Sequence, residues 1–261
     1  EGDRPALEAS GSAARLQSAV TITRTLLPER YRLVDSWPAT PPAPRGIQHP
    51  AGVAVGEDGL VYVAMPRSDR IGVWHLVGGA PPTPWTGPGT PPGPRGNMLT
   101  PEPALGGPGI LHAPVDAAVD SKAGRLYVAD SGARQVAVLA TRGGAVLNTW
   151  PVEGRPAGIA LGPDGRVYIA DETGHRVRVY DASGTHLADW GAFGRGPGQL
   201  DRPAGMAIGP KDGFLYVADR GNQRVQWFDG TGQVKGQLLL DNSSGPGGVP
   251  QDVFIDDKGQ I

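Results

Sequence analysis

The segment LYVADRGNQRVQWFDGTG, residues 215–232, has a near copy 48 residues earlier, VYIADETGHRVRVYDASG, residues 167–184. A chain that repeats a unit of this size folds by stacking copies of one small element, because a single copy cannot cover its own apolar faces. Aligned on a proline, five units open: PAGVAVG from Pro50, PVDAAVD from Pro114, PAGIALG from Pro156, PAGMAIG from Pro203 and PQDVFID from Pro250. In the first four, a turn of Asp and Gly leads to an aromatic strand that begins at Tyr62, Tyr127, Tyr168 or Tyr216.

Each run is short, rich in Val, Ile, Tyr and Ala, and bounded by Gly, Pro or Asp, which is the pattern of strands joined by tight turns. A third strand follows as RIGVWH, QVAVLA, RVRVYD or RVQWFD, and a fourth ends on Trp150 or Trp190. Four antiparallel strands in about 41–48 residues is the period of a β-propeller blade. The 41 Gly and 27 Pro would suggest low complexity in an aperiodic chain; here they read as turns. The expected fold is all-β, a propeller of four-stranded antiparallel blades whose sheets cover one another around a hub.

The run YVADRGNQRVQWFD, together with linkers such as WGAFGRGPGQLDRPAGMAI, resembles the NHL repeat. That resemblance implies a propeller of six blades when complete, of which this chain covers four to five. It extends over residues 31–261, with two departures: Met65 stands where its siblings have Asp130, Asp171 and Asp219, and Gln135 where they have Arg70, Arg176 and Arg224. Residues 1–30 read as a polar lead with one strand at 18–27, and YRLVDSWP at 31–38 as the outer strand of a blade. Residues 78–110 read as a Pro/Gly-rich insertion of extended backbone. The last unit stops inside a repeat, so either further chain or a second copy is expected to close the ring.

A formal charge of −2 argues against a basic nucleic-acid binder and against a polybasic membrane-surface protein. The chain has no cysteine, which removes disulfides, thiolate metal sites and cysteine nucleophiles together. No apolar run is long enough for a membrane span, and no GxSxG elbow, HExxH or Walker loop occurs.

In this repeat the entrances of the inner strands and the turns between second and third strands share one face. The loops there are rich in Arg, while the opposite turns are rich in Asp, a residue that tight hairpins favour. The plainest account of Asp171 with Arg176, and of Asp219 with Arg224, is a carboxylate capping turn amides and a guanidinium bracing the next blade. His49, His112, Asp116 and Asp252, with Arg155 and Arg202, stand at the mouths of the inner strands and converge on the axis as candidate ligand-binding residues. Asp116 and Asp252 replace Gly52, Gly158 and Gly205 of the sibling units, a change the repeat does not demand.

The leading expectation is a non-enzymatic interaction or assembly scaffold, extracellular or periplasmic, with a protein partner or self-assembly and no catalytic, metal or cofactor site. The alternative is a metal-dependent lyase or lactonase-like enzyme on the axis, in which Ca²⁺ or Zn²⁺ would be the cofactor and a small molecule the substrate. RNA ranks below both, because the aromatic residues fall inside strands where blade packing uses them.

Overall fold

The computed structural model describes residues 49–77, 98–107, 109–240, 249–256 and 258–261. Within them lie four sheets of four antiparallel strands, each a simple meander from hub to rim. The first blade comprises β1 (Val53–Val55), β2 (Leu60–Met65), β3 (Arg70–Val77) and β4 (Met98–Gly106). The second comprises β5 (Pro114–Asp120), β6 (Arg125–Asp130), β7 (Gln135–Ala140) and β8 (Val146–Pro151). The third comprises β9 (Pro156–Leu161), β10 (Val167–Asp171), β11 (Arg176–Tyr180) and β12 (His186–Trp190). The fourth comprises β13 (Pro203–Ile208), β14 (Leu215–Asp219), β15 (Arg224–Phe228) and β16 (Val234–Leu239).

The sheets stack face to face, and the alternation of side chains along each strand decides which neighbour it meets. On β6, Leu126 and Val128 pack against Tyr62, Ala64, Ile71 and Val73 of the first blade. Tyr127 and Ala129 on the same strand turn to Ile159, Val167 and Ile169 of the third. Such strands are apolar at nearly every position because both faces are covered. The next seam joins Tyr168, Val177 and Val179 to Met206, Val217 and Phe228. Inner strands β1, β5, β9 and β13 succeed one another around the hub.

Three of the four outer strands contribute one interlocking side chain each. Leu105, Trp150 and Trp190 pair with Ile71, Val136 and Val177 of their own sheets, and all three are buried against the following blade. Trp150 slides beneath Gly184, and Trp190 beneath Gly232. Both glycines close Asp-x-x-Gly turns with φ of +93° and +86°, where a side chain would be strained and would also strike the indole. The repeated turn therefore serves the preceding blade as well as its own hairpin.

The fifth unit opens where the repeat places it, although its described residues 249–256 form no strand. Gln251 O accepts the Gly205 amide at 2.9 Å, and Val253 and Ile255 are buried beside Tyr216 and Val225. Its Asp256 turn closes with the Asp256 amide on Gln260 O at 3.0 Å, as the Gly162 turn closes on Arg166 O. One reading changes: the stretch taken as an insertion at 78–110 contains β4, the outer strand of the first blade. The lead at 1–30 with its strand at 18–27, the outer-strand reading of 31–38 and the Pro-rich residues 78–97 lie outside the described residues.

The entrance face and the hub as candidate functional site

The buried aspartates at the ends of the second strands organise one face of the disc. Asp130, Asp171 and Asp219 have no solvent exposure. Each accepts the amide of a residue at the mouth of its own inner strand: His112 at 2.8 Å, Arg155 at 3.1 Å and Asp201 at 2.7 Å. The carbonyls of the same three residues accept amides from the turn after the aspartate, those of Gly132, Glu172 and Gly221. A buried carboxylate with two or more donors is satisfied, and here it fixes where the inner strand starts.

The second carboxylate oxygen faces the third strand. Arg224 donates to Asp219 at 2.7 Å and also to the carbonyls of Arg195, Gly196 and Gln199. Arg176 and Arg178 both reach Asp171 at 3.3 Å, and both reach Glu153. In the second blade Gln135 donates to Asp130 at 2.9 Å in place of an arginine. Burial raises the Asp130 pKa, against the lowering by Gln135 and by the amide and charge of His112. The capping role expected of these aspartates is present; the guanidinium braces the linker entering its own blade, not the next blade.

Seams between blades have their own polar ties on this face. The Ala113 amide donates to Asp69 of the first blade at 2.8 Å, and the Arg202 amide to His175 Nδ1 of the third at 3.1 Å. Asp201 also lies 3.3 Å from His175 Nδ1. Arg155 donates to Ser131 Oγ at 3.1 Å and pairs with Glu172 at 3.1 Å, and Glu172 also takes Arg220 of the fourth blade. Sequence reasoning gave His175 no role and left Glu172 unassigned. Their signal was positional: each lies in a turn after a second strand, facing the mouth of the following blade.

The six candidates at the inner-strand mouths separate into two groups. His49 is exposed and lies 3.0 Å from Arg67 Nη1, and His112 is exposed with its backbone held by Asp130. Arg155 and Arg202 are half-exposed, in ion pairs with Glu172 and Asp201. Only Asp116 and Asp252 point to the hub. Asp116 Oδ1 accepts the Ala117 amide at 2.9 Å and Oδ2 the Ile159 amide of the third blade at 3.0 Å. Asp252 Oδ1 accepts the Val253 amide at 2.8 Å. A Cβ on Gly52 would come within 2.2 Å of Asp116 Oδ1, and one on Gly205 within 1.9 Å of Asp252 Oδ1. Glycine on the preceding inner strand is what lets each carboxylate in.

Burial raises the Asp116 pKa to about 8, with the charge of Asp252 as the second cause. Burial likewise raises that of Asp252. Asp252 as a residue is exposed, but its Oδ1 lies against the fourth blade, where protein has displaced water. Among the described residues, no three His, Asp or Glu side chains come together in a way that could hold a metal ion.

The opposite face is built of turn chemistry. Asp58, Asp164, Asp181, Asp212, Asp229 and Asp256 each accept the amide two residues on. Ser183 and Thr185 hold the Asp181 carboxyl down to about 2, and Lys235 holds that of Asp229 lower still. Arg125, Arg142, Arg166 and Lys235 belong to this same face by topology. The charge difference between the two faces is therefore smaller than the sequence suggested, since the Arg-rich face also contains Glu153 and Asp189.

A family profile described as NHL repeat matches residues 154–180 and 200–228. Over 110 residues the chain is 26% identical to Protein brain tumor of Drosophila melanogaster, a match covering 41% of this chain and 10% of that one. It is 42% identical over 52 residues to RING finger protein nhl-1 of Caenorhabditis elegans, covering 20% and 5%. A streptogramin B lyase structure superposes with a TM-score of 0.54 at 18% identity, covering 75% of this chain and 56% of that one. A catalytically inactive virginiamycin B lyase from Staphylococcus aureus with quinupristin gives 0.54 at 15%, covering 75% and 57%. The chain spans a tenth or less of these curated relatives and just over half of these solved structures. At such identity the superpositions show the propeller fold alone.

Proposed function

The chain carries NHL repeats in a propeller fold, and from that premise we propose that it serves as an interaction scaffold whose entrance face receives a protein partner. The observation that carries this reading is the linker of residues 191–200. Arg224 holds three of its carbonyls, Gln226 holds the Gly198 amide and Gln199 O, and Asn222 holds Gly194 O. That frame presents Phe193 with 68% of its surface exposed, its ring 4.7 Å from the ring of His175. A rigidly held, exposed aromatic flanked by Arg195 and Arg202 is the composition of an interface anchor, because little ordering entropy remains to be lost on binding.

Sedimentation of the purified chain with itself, and quantitative capture of its partner from native extract, would test the reading with Phe193→Ala beside the wild type. An anchor of this type contributes about 2 kcal/mol or more, so the substitution should weaken association roughly thirtyfold or more while leaving the fold intact. Unchanged association would remove the entrance face from the function. A location outside the cytoplasm goes with the same proposal and is tested by cell fractionation.

A second reading, a metal-dependent lyase or lactonase-like enzyme, starts from Asp116 and Asp252, two carboxylates at the repeat position where the sibling units have glycine. His49, His112, Asp116 and Asp252 would be its ligands or bases. Bound Zn²⁺ or Ca²⁺ in the purified protein, or a thermal shift on adding either, would support it; the absence of both would remove it.

A further inference from the structure

On the face opposite the entrance, a groove of about 370 Å³ lies at the seam between the second and third blades. Arg125, Val138, Leu147 and Asn148 form its second-blade wall, and Ala182 and Ser183, in the turn after β11, form the other. Asn148 Nδ2 donates to Ser183 O at 2.9 Å and joins the two walls. Leu147 is the extra residue where the pairing of β8 with β7 slips, and 52% of its surface is exposed. Aliphatic walls with an exposed guanidinium at the rim suit an aromatic ring, whose face attracts a cation. Phe193, the most exposed large apolar side chain among the described residues, stands on the other side of the disc at the next seam, between the third and fourth blades. It follows the outer strand β12 by three residues, so it lies, like the groove, in the outer half of the disc.

We infer that the partner of the entrance face is a second copy of this chain, stacked head to tail and turned by one blade, with Phe193 of one copy seated against Arg125, Leu147 and Ala182 of the next. The inference rests on the reading of Phe193 as an interface anchor. The two surfaces differ, so the contact is heterologous and each copy remains able to take another, giving an open series of oligomers in place of a closed dimer.

Charge selects the same offset. A turn of one blade sets the fourth blade of one copy against the third of the next, and the third against the second. On the entrance side of the fourth blade, Arg195 is exposed and has no carboxylate partner among the described residues. It meets Asp181 under the third blade, which accepts only amides and a hydroxyl of its own turn. On the entrance side of the third blade, Glu153 has a side chain 83% exposed. It meets the underside of the second blade, where Lys122, Arg125 and Arg142 are exposed and have no carboxylate partner among the described residues. Opposite charges therefore face each other on both sides of the seated ring, which steers and orients association. Stacked without the turn, Glu153 would face Asp181, like against like, and that register is disfavoured.

Sedimentation velocity over a concentration series, with wild type, Phe193→Ala and Leu147→Glu run separately and then mixed, tests the stacking. Both side chains are more than half exposed, so neither change disturbs the core. The wild type should form a growing series of oligomers, and each variant alone should associate roughly thirtyfold or more weakly. An equimolar mixture of the two variants should form dimers that grow no further, because each pair retains one intact ring and one intact groove. Arg125→Glu should act as a second groove variant and pair with Phe193→Ala in the same way. Self-association that survives Leu147→Glu and Arg125→Glu but not Phe193→Ala, or a mixture that stays monomeric, overturns the stacking and leaves the entrance-face reading standing. A wild type that is monomeric throughout also overturns the stacking, and capture of a different partner then decides the reading. Association unchanged in all three variants overturns both.

Discussion

Arg224 is buried, with its guanidinium spread over Asp219, three linker carbonyls and Gln237 Oε1. Removing it would leave a fully buried carboxylate without its cation and would take a donor from each of three linker carbonyls, of which Gly196 O keeps the Gln199 amide and Gln199 O keeps Gln226 Nε2, a loss of about 3–5 kcal/mol for a pair of this kind. Arg224→Ala should lower the denaturant midpoint by a corresponding amount, and Arg224→Lys should recover little of it, because an ammonium cannot span acceptors arranged around a planar fork. Urea titrations of the two variants measure both. The aspartate–arginine pairing was legible because the repeat shows it twice at the same spacing, Asp171 with Arg176 and Asp219 with Arg224. Which linker the guanidinium braces was not legible, since that depends on how the chain folds back over its own sheet. Arg178, two residues beyond Arg176 and thus on the same face of β11, had a signal in that alternation.

The strands were legible where aromatic and β-branched residues alternate between turn residues, and poorly legible in β4. Its sequence, MLTPEPALG, has Pro101 and Pro103, and its pairing with β3 slips between Glu102 and Leu105. As an outer strand β4 pairs only with β3, and the side facing away requires no donor. Prolines that argue against a central strand are thus compatible with this one. The Asp-x-x-Gly turns were read correctly as hairpins, but their contact with the preceding blade has no local signature. It can be tested by comparing two glycines of similar φ. Gly165, at +81°, has open space where a Cβ would stand, whereas Gly232, at +86°, has Trp190 at 2.5 Å. Gly165→Ala should cost about 1–2 kcal/mol from backbone conformation alone. Gly232→Ala should cost that and about 1–3 kcal/mol more for overpacking at the indole, read as a larger fall in Tm.

At the scale of the whole molecule, each blade touches only its neighbours, so stability is distributed as a sum over seams. Three seams bury a complete interlock: Leu105, Trp150 and Trp190 are each 4–6% exposed. At the equivalent position of the fourth blade, paired with Val225, Leu238 is 42% exposed, because among the described residues only the segment around Val253 and Ile255 packs on that face. The second and third blades are covered on both sides and the outer half of the fourth on one. Local opening free energies should follow this order, since opening exposes whatever apolar surface a sheet has buried. Hydrogen exchange would then be slowest in β6, β7, β10 and β11 and markedly faster in β15 and β16, although β15 has a fully hydrogen-bonded partner on each side. Equal protection of β7 and β15 would mean that hydrogen bonding within a sheet, and not packing between sheets, sets the stability of each blade. Because Phe193 stands on a linker held by Arg224 and Gln226 of β15, the same measurement bears on its presentation. A fast-opening fourth blade would make the anchor's rigidity depend on what covers Leu238, and binding at the entrance face would then strengthen when that seam is filled.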